Sequence, residues 1–156
     1  MSLARYPRKV NFGPQYLSGL HRSGWWDALK ALAVLHHDNG TILDAFIELS
    51  FPFNRAPSGS LPYCSPWVGF IHCPQNMPHW FQYHIAPQSI FKKRAWIESL
   101  PQCRGIFCLS EYHRRWLASQ LPVPVVNLIY PTEIPALGFS MERFSANGDK
   151  KIVQIG

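Results

Sequence analysis

The chain has 156 residues, 47% of them hydrophobic and 15% charged, which excludes a disordered polypeptide, since those run low in aromatics and high in charge. At this length a single domain buries about two-thirds of the surface that its unfolded form exposes, so no disulfide scaffold is required. The formal charge of +6 comes in small scattered groups (Arg5, Arg8 and Lys9; Lys92, Lys93 and Arg94; Arg114 and Arg115; Lys150 and Lys151), not on the single basic face of a nucleic-acid binder, so no nucleic-acid partner is expected.

Residues 1–23 show no period and carry Pro7, Gly13, Pro14 and Gly19, the composition of an irregular lead-in. Ser23 is placed to cap a helix, "GWWDALKALAVLHH", in which Trp25, Leu29, Leu32 and Leu35 recur at helical spacing. Gly40 in "HDNG" supplies its stop. "TILDAFIELSF" (41–51) is expected to be a strand, although Asp44 and Glu48 interrupt its apolar pattern. "NRAPSGSLPYCSP" is a surface loop.

The strand signal is clearest at "WVGFIH" (67–72), apolar throughout and broken by Pro74. Continuous apolar strands belong to parallel sheets covered on both faces, whose carboxyl ends are where ligands bind. An aromatic loop, "CPQNMPHWFQYHIAP", leads to a helix expected from about Ser89, with Ile90, Ile97 and Leu100 on one stripe. "GIFCLS" (105–110) is a second buried strand, and Ser110 caps the helix "SEYHRRWLASQL", with Glu111 in its first turn. "PVPVVNLIYP" places a further strand over 125–130. Alternating strands and helices of this kind indicate an α/β fold, a Rossmann-like parallel sheet with right-handed crossovers and helices on both faces. Residues 132–149 have the Pro, Gly and polar content of an interdomain linker, and "KKIVQIG" (150–156) has the form of a short strand reaching a glycine.

Cys64, Cys73, Cys103 and Cys108 form no Cys-x-x-Cys pair, so packed reduced thiols are expected in preference to disulfides or zinc, and no metal site is expected even with His72, His79 and His84 nearby. No apolar run reaches about 18 residues and "MSLARYPRKV" has no apolar centre, so neither a membrane span nor a signal peptide is expected and a cytoplasmic location is the default. Lys92, Lys93 and Arg94 read as solvated, with peripheral contact to an anionic membrane or a phosphate-bearing ligand as the sharper reading.

Residues 67–156 resemble the amino-terminal lobe of a two-domain B-type glycosyltransferase, similar to glycosyltransferase family 4 and its relatives. The resemblance is carried by "GFIHCP", "PQSIFKKRAWIESLPQCRGIFCLSEYHRRWL", "NLIYPTEIP" and "KKIVQIG" in that order. It implies that residues 1–131 form an acceptor-side lobe, 132–149 an interdomain linker, and 150–156 the first strand of a donor-binding lobe. It further implies transfer of a sugar from a nucleotide-activated donor to a sugar or glycan acceptor, with no cofactor or metal in this lobe and with the isolated chain inactive. The alternative is a non-catalytic carbohydrate- or partner-binding module of the same Rossmann-like fold.

Within that implied site His72 is the candidate catalytic residue. An imidazole at a strand's carboxyl end can hydrogen-bond a donor sugar or developing charge, and can equally be satisfied by a backbone carbonyl. Asn76 and Trp80 in the following loop suit a sugar acceptor, while Phe81 and Tyr83 are expected to pack in the core. Ser110, Glu111, Tyr112 and His113 open a helix whose first amides can hold an anion or a hydroxylated ligand, although Glu111 can also simply complement the helix dipole.

Overall fold

Apolar runs beginning at Val10, Thr41, Trp67, Cys103 and Val125 assemble into one all-parallel sheet of order β1-β2-β3-β4-β5. Its strands are β1 (Val10–Asn11), β2 (Thr41–Asp44), β3 (Trp67–Phe70), β4 (Cys103–Cys108) and β5 (Val125–Asn127). The computed structural model describes residues 9–13, 25–129 and 138–149. Among the described residues six α-helices accompany the sheet: α1 (Trp25–Leu32), α2 (Ile47–Phe53), α3 (Pro87–Ile90), α4 (Arg94–Ser99), α5 (Glu111–Gln120) and α6 (Met141–Ala146).

Side chains alternate across the strands, and each face has its own core. On one face Ile42, Trp67, Ile71, Ile106 and Cys108 meet Ile47 and Phe51 of α2, Ile90 of α3, Trp96 of α4 and Leu117 of α5. On the other, Leu43 and Phe70 meet Phe12, which follows β1, and Leu29 of α1. The chain therefore has the expected α/β, Rossmann-like arrangement, an open parallel sheet with helices on both faces.

The crossovers β2 to β3, β3 to β4 and β4 to β5 all step the same way across one face. α1 packs on the face opposite to α2, α3, α4 and α5, and the chain bridges to Val10 at His36 before it enters β2.

Other local expectations are also corrected. The lead-in contains β1, and α1 passes into a 3-10 turn at Ala33–Leu35 before His36 bridges to Val10. Segment 41–51 is not one strand: it divides at Asp44, whose Oδ1 accepts from the Phe46 N–H (3.1 Å) and the Ser50 hydroxyl (2.8 Å). That Asx turn ends β2 and starts α2. The helix expected from Ser89 is two short ones, because Lys93 is extended (φ −73°, ψ 137°). β5 ends at Asn127, and α6 lies inside the expected linker, capped by Ser140, which accepts from the Arg143 N–H. The Ser23 cap, "YPTEIP" and the strand expected at the end of "KKIVQIG" lie outside the described residues.

Candidate functional site

His72 lies just beyond β3, at the carboxyl edge of the sheet. Its backbone N–H and that of Cys73 both donate to Glu48 Oε1, the second over 2.7 Å. Its ring is fixed from two sides. Nε2 lies 2.8 Å from the Ala45 carbonyl, and the ring stacks on Phe46 with centroids 4.3 Å apart and planes 10° from parallel. A carbonyl only accepts, so Nε2 carries the proton and the tautomer is set by β2's own exit. Of the two readings of this residue, the carbonyl-satisfied imidazole describes Nε2.

A cleft of about 400 Å³ opens beside this ring, lined by Phe46, Glu48, Leu49, Phe53, His72, Cys73, Gln82, His84 and Ile85. Glu48 is its buried charge, 4% exposed. While Oε1 takes two amides, Oε2 has no hydrogen-bond partner among the described residues. Burial, and next the charge of Glu48, push the Cys73 thiol up to about 12, so it stands beside the carboxylate as a neutral group. One layer deeper, Asp44 is raised to about 6 by burial, against the lowering effect of bonds from Tyr63, Ser50 and Phe46.

The other expected site residues stand elsewhere, and none lines this cleft. Asn76 is exposed at φ 62°, its Oδ1 accepting from Gln88 Nε2 at 3.1 Å. Trp80 is 85% exposed with Phe81 beside it at 6.0 Å; Phe81 is itself 52% exposed, which corrects its expected core role. A pair of adjacent aromatics needs a facing apolar surface to bury, and the loop presents them outward. Tyr83 is half-buried against His79, centroids 4.1 Å apart.

Ser110 caps α5 as expected, accepting from the His113 N–H at 3.2 Å. Glu111 is engaged within its own helix, 2.6 Å from Arg114 and 3.0 Å from Arg115. These bonds, from Arg114 first, hold its carboxyl down to about 2. Tyr112 is 76% exposed. His113 turns inward: its ring is buried near Trp116, burial lowers its pKa, and Nε2 has no partner among the described residues.

Among the described residues no group of three or more His, Cys, Asp or Glu is placed to hold a metal ion, and no helix is long and apolar enough to cross a membrane. The four cysteines are free thiols: Cys64 exposed, Cys73 half-buried, Cys103 and Cys108 buried.

Glu48 is the residue that sequence reasoning passed over. Its signal was the interruption of an apolar run in "AFIELSF": a charge at a position the core should own is either an error of register or a buried site. Comparison with protein-family models, characterised proteins and solved structures found no significant match.

Proposed function

We propose that this chain is the acceptor-side lobe of a two-lobed sugar transferase that uses a nucleotide-activated donor. The observation that carries the reading is the cleft at the carboxyl edge of a parallel sheet, where a buried carboxylate and an oriented imidazole lie side by side. Ligands of open α/β sheets bind at this edge. α1 and α2 pack on opposite faces of the sheet.

In the proposed reaction an acceptor hydroxyl attacks the anomeric carbon as the bond to the nucleoside diphosphate breaks, and the hydroxyl proton passes to the departing diphosphate. Hydrogen bonds from polar groups lining the cleft orient the acceptor. Charge developing on the leaving diphosphate needs cations or helix-end amides, which the proposal assigns to a second lobe. The isolated chain is accordingly expected to be inactive.

The experiment is to read the frame past codon 156, express the whole product and supply it with a panel of nucleotide sugars. Donor-dependent release of nucleoside diphosphate supports the reading, and His72→Ala should then lower turnover by more than about tenfold by freeing the cleft wall that Ala45 and Phe46 hold. A whole product that consumes no nucleotide sugar, or sugar transfer by the 156-residue chain alone, would remove it.

A further inference from the structure

The cleft beside His72 contains a negative charge that the described chain does not balance. Glu48 is nine-tenths buried, its Oε1 is occupied by the His72 and Cys73 amides, and its Oε2 has no hydrogen-bond partner among the described residues. Among the described residues no ion pair reaches Glu48. Its titratable neighbours in the cleft wall are His72, Cys73 and His84. Of these, His72 directs Nε2 to Ala45, Cys73 is a neutral thiol whose hydrogen bond to the Glu48 side chain supplies no charge, and His84 sets its ring edge-on to Phe53 at 5.6 Å.

Buried carboxylates are stable when they are both hydrogen-bonded and paired with charge, and a half-satisfied one is costly. A neutral hydroxyl entering the cleft would fill the lone pair on Oε2 and leave the charge. An ammonium group fills the lone pair and cancels the charge, and the rings of Phe46 and Phe53 in the same wall suit a cation. We propose that this cleft binds a primary ammonium group, carried on a small amine or amino sugar, through Glu48 Oε2.

Glu48 and the 48% exposed Phe53 both line the cleft, and Oε2 itself is covered, so on this proposal a side chain of the cleft wall moves when the ammonium binds. This inference does not depend on the transferase reading, because it concerns binding and not transfer.

The test compares glucosamine with glucose, which differ at one position by an ammonium against a hydroxyl, titrated at pH 7 into the ¹⁵N-labelled chain. Glucosamine should shift the His72 and Cys73 amides with a Kd on the order of millimolar, and glucose should bind at least about tenfold more weakly. Glu48→Gln should bring glucosamine to the level of glucose. That variant keeps an oxygen for the two amides, and a thermal melt checks that it folds. Equal binding of the two sugars, no amide shift with glucosamine at on the order of tens of millimolar, or unchanged glucosamine binding in the folded variant would each overturn the proposal. The first two readings need only the unmodified chain.

Discussion

The Tyr63 hydroxyl donates to Asp44 Oδ2 over 2.7 Å, joining two side chains that are 2% and 1% exposed. With Ser50 and the Phe46 amide on Oδ1, this places a fully bonded carboxyl beneath the strand exit that positions His72. Folding raises the Asp44 pKa from its ordinary 3.8 to about 6, chiefly by burial. The folded chain therefore binds this proton more tightly than the unfolded chain. The resulting stabilisation is complete below about pH 4 and is lost as pH rises through about 6, to a total of at most ~3 kcal/mol. Asp44→Asn has no such proton. Denaturation of both proteins from pH 4 to pH 7 should show the difference moving in the variant's favour by up to that amount, and a pH-independent difference would show that Asp44 does not titrate there.

Removing the partner instead of the acid acts in the opposite sense. Tyr63→Phe leaves Oδ2 of a buried carboxyl without its donor, which should cost about 1–3 kcal/mol. It should also raise the Asp44 pKa further, because that bond is the largest of the lowering influences on it. Denaturant midpoints at neutral pH measure the first effect. The second appears as an extension of the pH-dependent range to higher pH, and an unchanged range would contradict it.

The parts of this fold legible in the sequence are those whose pattern is local. β3 and β4 are continuous apolar runs, and α5 announces itself by the Ser110 cap and Glu111 behind it. The division of 41–51 was not legible. Ile42, Leu43, Phe46 and Ile47 fit a strand as well as a strand followed by a helix, and what decides is Asp44 bonding Phe46, Ser50 and a tyrosine 19 residues on. His72 could be placed at a strand's end, but Glu48 meets it from 24 residues away through backbone amides, which no spacing encodes. β1 is two residues long, too short to carry a period. The two acids that weakened the strand reading were the local trace of the site.

Gly69 of β3 leaves space that the Ile47 side chain of α2 fills. A Cβ built there would lie 2.5 Å from Ile47 Cδ1, 2.9 Å from its Cγ1 and 2.9 Å from Trp67 Cζ3, and both neighbours are fully buried. Gly69→Ala should thus overpack this seam and cost about 1–3 kcal/mol. Ile47→Val removes the nearest methyl, so the double variant should be less destabilised than the two single changes added together. Simple additivity in a thermal or urea denaturation series would place the strain elsewhere.

Ser110 makes a smaller and more local contribution. Its hydroxyl accepts one of the amides at the start of α5, that of His113, and Ser110→Ala should cost about 1 kcal/mol. The loss should appear as faster hydrogen exchange at the His113 amide while β2 and β3 keep their protection, because the cap holds only the first turn. Uniformly faster exchange across the sheet would mean that the cap supports more than its helix.

Thiol chemistry reports on the cleft and the core separately. Cys64 is exposed, whereas Cys73 is half-buried and its pKa is pushed to about 12. Cys103 is buried at about 11 and Cys108 is buried and raised, both mainly by desolvation. The thiolate is the reactive form, so alkylation at neutral pH should proceed at Cys64 first, slowly at Cys73, and at Cys103 and Cys108 only with unfolding. Glu48→Gln removes the charge that helps hold the Cys73 thiol protonated, leaving desolvation, the larger cause, in place. Cys73 alkylation, followed by peptide mass spectrometry, should therefore quicken in that variant without reaching the rate at Cys64. An unchanged Cys73 rate in a folded Glu48→Gln protein would show that the carboxylate does not act on the thiol.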